Sequence, residues 1–271
     1  MVNAFALRVG GAVISVNKSD RPALLVDVRQ RLRDGVGFAI ATLNLDHLVK
    51  IRRVAAFREA YQRQDLVVAD GHPVVWLSRL AGKPVSLVTG SDLVEPLAAL
   101  AAQEGAPVAL LGATDETLAR AREALVERNP DLRVVACLAP AFGFDPNGTE
   151  ADRLIEALRN SGARLTFLAL GAPKQEMFAA RCREILPDMG FASVGAGLDF
   201  LAQSQRRAPS WMRKLALEWL WRIGSNPRRL AGRYALCAVA MPRLAFSALR
   251  RAGAESPSVQ GALAAETLPG G

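Results

Sequence analysis

The chain has few of the residues that most directly announce a chemistry. It holds two histidines and three cysteines in 271 residues. Cys137, Cys182 and Cys237 lie far apart, which excludes a disulfide framework and a zinc cluster and predicts three reduced core thiols. Asp70 and His72 could supply two metal ligands, but no His or Cys cluster joins them, so no metal site is expected. No D-x-D pair occurs, so no such pair can hold a divalent ion against a diphosphate. The G-x-G-x-x-G dinucleotide fingerprint and the G-x-x-x-x-G-K-[ST] phosphate loop are also missing. No charge-free apolar run is long enough to cross a bilayer, and the first residues lack the features of a secretory signal. The expectation is a protein made and kept inside the cell.

What is present is an ordinary globular composition with one unusual segment. Half of the residues are apolar (51%), enough for a sizeable core. Between Arg206 and Arg251 there are eleven Arg or Lys against a single acid, Glu218, a local net of +10. The whole chain is +8, which leaves −2 for everything else. Residues 1–205 therefore read as a near-neutral body in two lobes that meet near residue 105. Residues 206–251 read as a basic appendage for an anionic partner, and 252–271 as a disordered tail.

Along the body, apolar runs such as "GFAIATLN", "DLVVAD", "APVALLGAT" and "LTFLALG" alternate with segments of helical spacing. That alternation predicts an α/β fold with a mostly parallel sheet and helices on both faces. Ligands of such sheets bind at the carboxyl ends of the strands. Three strands end there in glycine turns, at Gly112–Ala113, Gly171 and Gly195, and Gly143 lies in a further loop. One such turn is ordinary strand-to-helix geometry; three at one edge point to a nucleotide pocket. In "VVADGHPVV" a buried strand stops at Asp70. A carboxylate there suits a general base, and a helix cap or Asx-turn fits the spacing equally well. Thr42 and Asn44 of "TLNLD" end the neighbouring strand and face the same cleft.

In the appendage, Arg222 and Arg229 are seven residues apart and Arg233 follows one turn later, with a break expected at Pro227. Trp211, Trp219 and Trp221 interleave with these bases, a composition that suits a membrane interface. No nucleic-acid reading motif is recognisable.

In this order, "ATLNLDHLV", "VVADGHPVVWLSRLAG", "VTGSDL", "LALGAPKQE", "SVGAGLDFLA", "RRAPSWM" and "LEWLWRIGSNPRRLAGRY" resemble the WecG/TagA/CpsF bacterial glycosyltransferases, from about Thr42 to Tyr234. The resemblance implies a Rossmann-like body and a membrane-associating C-terminal appendage. It implies an inverting, metal-independent enzyme without cofactor, which moves a sugar from a UDP-sugar to a polyprenyl-diphosphate-linked saccharide during cell-surface polysaccharide synthesis. It places the base at Asp70, acceptor or sugar contacts at Thr42 and Asn44, nucleotide contacts at Gln175 and Asp199, and diphosphate contacts at Arg222 and Arg229. Two positions depart from the family pattern. Leu87 stands where an arginine is common, with Arg79 or Lys83 as substitutes, and Gly232 replaces a frequent base, with Arg233 nearest. The alternative is a non-catalytic nucleotide- or lipid-binding subunit that docks polysaccharide assembly proteins.

Overall fold

Runs of four to six residues with scarcely an exposed side chain become the central strands. A computed structural model describes residues 5–204, 208–209, 211–212, 216–225 and 227–255. Strands β3 (Phe38–Leu43), β4 (Leu66–Ala69), β5 (Val108–Gly112), β6 (Val134–Leu138), β7 (Leu165–Ala169) and β8 (Gly190–Ser193) form one sheet in the order β4-β3-β8-β7-β5-β6. Every pairing is parallel. Strands from both sides of residue 105 thus share one ladder. The fold is the expected Rossmann-like α/β type.

Alternate strand residues point to opposite faces and find different helices. Ile40, Val68, Leu110 and Phe167 pack with α1 (Arg21–Asp34), α5 (Gly90–Gln103) and α6 (Asp115–Arg128). The short α9 (Gly197–Leu201) joins them through Leu198. On the other face Ala39, Ala109, Leu111 and Phe191 meet α7 (Thr149–Ser161) and α8 (Lys174–Ile185). Ala41, Leu43, Val67 and Ala69 meet α2 (Leu45–Arg53), α3 (Ala55–Gln62) and α4 (His72–Leu80). After β3 and β7 the chain turns to one face, after β8 and β5 to the other. The ends of β3 and β8, and of β7 and β5, therefore part at the carboxyl edge, the kind of place where such sheets hold ligands.

Four features differ from the sequence expectation. An antiparallel hairpin, β1 (Phe5–Val9) and β2 (Ala12–Val16), precedes the first helix. Gly10 and Gly11, both at positive φ, make its two-residue turn, which only glycine adopts without strain. The segment "LDHLVKIRRVAAFREAYQRQ" after β3, whose spacing predicts one helix, breaks at Val54, whose backbone is extended. The break lets Phe57 and Tyr61 of α3 fold back onto His47 of α2, at ring-centroid distances of 5.7 and 5.8 Å. Cys137 is exposed on the edge strand β6, whereas Cys182 and Cys237 are buried as expected.

The appendage provides the fourth difference. Helix α10 (Glu218–Ser225) ends just before Pro227, as the proline requires, and α11 runs from Pro227 to Glu255 through Pro242. An interior proline costs about 3 kcal/mol of helix stability. Packing offsets it: Met241, Leu244, Ala245 and Ala248 of α11 join the cluster formed by the hairpin, α2 and α4. The helix also reaches into the stretch read as a tail. Residues 256–271 lie outside the described residues, as do the side chains of Arg222 and Arg229.

Candidate active site

Asp70 is set in place by three strands of chain. Its N–H donates to the Leu43 carbonyl at 2.7 Å, continuing the β4–β3 ladder by one residue. On its other side Ala69 pairs in parallel with Leu87, and the Val88 N–H donates to the Ala69 carbonyl at 2.8 Å. Gly71 takes the N-cap position of α4, so half-buried Asp70 stands one residue outside that helix. The carboxylate is thereby delivered to the carboxyl edge between the end of β3 and the start of α5.

The neighbours expected from the sequence are met with differing outcomes. Thr42 is buried at 4% exposure, in register with Val68. Asn44 is the N-cap of α2, its side-chain oxygen accepting from the His47 N–H at 2.9 Å. Arg79 is exposed in the last turn of α4, the far end of that helix from Asp70, about 10 Å along its axis. Leu87 lies next to the residue that precedes Asp70, and it is 39% exposed. The departure from the family pattern therefore falls beside the proposed base.

The glycine turns are built for close packing as much as for a ligand. A Cβ on Gly112, at φ 113°, would come within 2.5 Å of the Ala169 carbonyl, so β5 and β7 can approach only with glycine there. Ala113 follows in the left-handed region at φ 53°, a conformation that costs a non-glycine residue about 1–2 kcal/mol. Gly143 is exposed in the loop after β6, and its neighbour Phe142 is fully exposed, an aromatic face at the same edge that sequence reasoning missed. Asp199 is half-buried in α9, where its carboxylate accepts weakly from the Ser204 hydroxyl at 3.4 Å.

Gln175 joins two of these turns. Its side-chain oxygen accepts from the Gly171 and Gly195 N–H groups, both at 3.2 Å, so the turns after β7 and β8 share one carboxamide. Gln175 is buried, and those two N–H groups are taken up within the protein rather than offered to phosphate. Its amide nitrogen donates to Glu176 at 2.8 Å. Glu176 is itself fully buried, and burial pushes its carboxyl up to about 7. Its second oxygen has no hydrogen-bond partner among the described residues. The His47 ring lies 4.0 Å away, held neutral by burial with a pKa lowered to about 3, and the Tyr61 hydroxyl is 3.3 Å from His47 Nδ1. Burial also raises the Tyr61 phenol well above its ordinary value, with the Glu176 and Asp70 carboxylates adding to the effect. None of this inner layer was legible: a Glu in the first turn of α8 reads as a solvated dipole partner. Equally hidden was the N-terminus of α5, where the Thr89 hydroxyl accepts from the Asp92 N–H at 3.2 Å and donates to its carboxylate at 2.7 Å. The T-x-x-D spacing was the available signal.

The C-terminal helix is fastened to this edge. Asp46 pairs with Lys50 at 2.7 Å, and Lys50 also donates to the Ala172 carbonyl at 3.1 Å in the turn after β7, beside the cis Ala172–Pro173 bond. Arg233 of α11 approaches the same Asp46 at 3.9 Å. One arginine of the appendage is thus brought to the start of α2, one turn from Asn44.

Among the described residues no three His, Cys, Asp or Glu side chains cluster as metal ligands, and no helix is long and apolar enough to cross a membrane. The model of the glycosyl transferase WecG/TagA/CpsF family matches residues 11–256, nearly the whole chain. With a parallel sheet, an acid at its carboxyl edge and a basic helix folded onto it, the chain belongs to that family of glycosyltransferases of cell-surface polysaccharide synthesis, which use a sugar-nucleotide donor and a glycan-lipid acceptor.

Proposed function

We propose that the protein transfers a sugar from a UDP-sugar to a polyprenyl-diphosphate-linked saccharide in one displacement that inverts the anomeric carbon. The observation that carries this reading is the position of Asp70, a half-buried carboxylate at the carboxyl end of β4, one strand from the place where the connections after β3 and β8 part. Asp70 takes the proton of the acceptor hydroxyl as that oxygen attacks the anomeric carbon. The bond to the UDP oxygen breaks on the opposite face, and the diphosphate departs with both electrons. Arg233, with Arg222 and Arg229, neutralises the charge that develops on it, the electrostatic task a divalent ion performs elsewhere.

The basic C-terminal segment supports work at an anionic membrane surface, where the lipid-linked acceptor resides. A specific observation favours a second reading, a non-catalytic binding subunit: an aliphatic Leu87 beside Asp70 leaves that flank without the family's cation. Incubation of the full chain with a panel of UDP-sugars and a short polyprenyl-diphosphate saccharide, followed by mass analysis, separates the two. The expected result is one β-linked product whose formation survives chelator. UDP binding without any product supports the subunit, and a requirement for manganese after chelation overturns the arginine assignment.

A further inference from the structure

A second basic site lies away from the carboxyl edge. A groove of about 600 Å³ runs between the hairpin turn, the C-terminal half of α2 and the middle of α11. Arg8 enters it from the hairpin, Arg52 and Arg53 from α2, and Arg243 from α11. All four are exposed, none makes an ion pair with a described residue, and no Asp or Glu lines the groove. A role for Arg52 and Arg53 at the dipole of the end of α2 accounts for neither Arg8 nor Arg243. Four uncompensated guanidinium groups from three elements make a binding place for phosphate.

The walls say which kind of phosphate. Leu48 and Val9 form the floor, and Leu236 and Val239 the side, with Val239 77% exposed. Leu236, Val239, Arg243, Phe246 and Arg250 recur at intervals of three and four residues, so they share one stripe of α11. Cys237, Met241, Leu244, Ala245 and Ala248 occupy the opposite stripe, toward the body. The outer stripe is therefore apolar and basic together, and the Arg250 guanidinium stacks on Phe246 at 4.9 Å. A soluble phosphate has no use for such walls. An amphiphile does.

We propose that this groove seats the phosphate headgroup of an anionic phospholipid within the bilayer, with Arg8, Arg52, Arg53 and Arg243 around the phosphate and Leu236, Val239 and Phe246 against the acyl region. The proposal rests on the membrane reading above and adds that residues of the body, outside the basic appendage, hold the lipid. Arg243 follows Arg233 by ten residues, about 15 Å along one helix. The lipid site and the edge that meets the diphosphate are thus two stations on a single rod.

The test is flotation of the full chain with vesicles of equal phosphatidylglycerol and phosphatidylcholine, and with phosphatidylcholine alone. The wild type should float with the first and not with the second. Arg52→Glu/Arg53→Glu and Arg8→Glu should weaken binding, the double variant on the order of a hundredfold or more, with the appendage intact. Arg120→Glu, on an exposed arginine of α6 paired with Glu116, is the control and should float as the wild type does. Thermal melting checks each variant's fold, which these exposed positions should leave unchanged. Undiminished flotation of the groove variants overturns the site and leaves the membrane reading standing; wild-type protein that never floats overturns both. Equal binding to the phosphatidylcholine vesicles removes the requirement for an anionic headgroup, and release by millimolar glycerol phosphate replaces the lipid with a soluble ligand. Either outcome overturns the proposal.

Discussion

The body and the C-terminal helix treat positive charge differently. Away from the groove lined by Arg8, Arg52 and Arg53, several of the body's arginines find acids: Arg33 meets Glu104, Arg31 meets Asp27, Arg183 meets Asp65, and Arg128 meets Glu95. Such pairs contribute little stability each, about 0–1 kcal/mol, but they leave those parts of the surface electrically quiet. On α11, Arg228, Arg243 and Arg250 have no ion-pair partner among the described residues, and Arg233 reaches one, Asp46. The same helix also exposes Leu236, Val239, Phe246 and Leu249. A surface that leaves both charge and apolar area unanswered on the same stripe is shaped for a partner that supplies both.

The sharpest way to break that comparison is to remove the chemistry and keep the charge. Asp70→Asn should lower sugar transfer by on the order of 10²–10⁴-fold, with UDP binding and vesicle flotation unchanged. Near wild-type turnover would take the base role away from Asp70. Adding a cation to the quiet side is the next largest change. Leu87→Arg places a guanidinium beside the Ala69–Asp70 strand end and should raise transfer by about tenfold. No gain in an active protein would mean that a different residue already fills the place.

The smallest effect sharpens the picture of the inner layer. The Glu176 carboxyl is raised by burial from 4.5 to about 7 in the folded protein. Between those values the folded chain keeps a proton that the unfolded chain releases, so stability falls as pH rises through that window. His47 acts in the opposite sense: folded His47 stays neutral down to about 3, so its contribution is lost as pH falls below 6.5. Glu176→Gln keeps a partner for Gln175 and removes the first slope. The variant's melting temperature should decline less than that of the wild type between pH 4.5 and 7, by a few degrees. Identical slopes would mean that Glu176 is ionised in the folded state.

Much of this architecture was legible in the chain. The central strands are runs of buried residues too uniform to be anything else, and α1 and α6 begin and end where Asp20, Gly35 and Thr114 cap them. Asp70 was legible for the same reason: an acid that directly follows a buried strand has nowhere to go but the edge. What was hidden depended on tertiary partners. Val54 carries no breaker chemistry, and α2 and α3 separate there so that Phe57 and Tyr61 can pack on His47. Pro242 does not stop α11, because its neighbours are held in the core. Gln175, expected as a nucleotide contact, also ties two turns together. Glu176, which spacing did not single out, is the most deeply enclosed acid described. Spacing reports which face a residue shares; it does not report what covers that face.

The inner stripe of α11 has a mechanical consequence. Because Met241, Leu244, Ala245 and Ala248 complete the same apolar cluster as the hairpin, the helix cannot slip by a turn without unseating all four. Arg233 and Arg243 are therefore kept in fixed registration with the carboxyl edge and with the groove. On the membrane reading proposed above, a bilayer against the outer stripe would sit at one depth relative to Asp70, and the helix would gauge how far a lipid-borne sugar must rise to be reached.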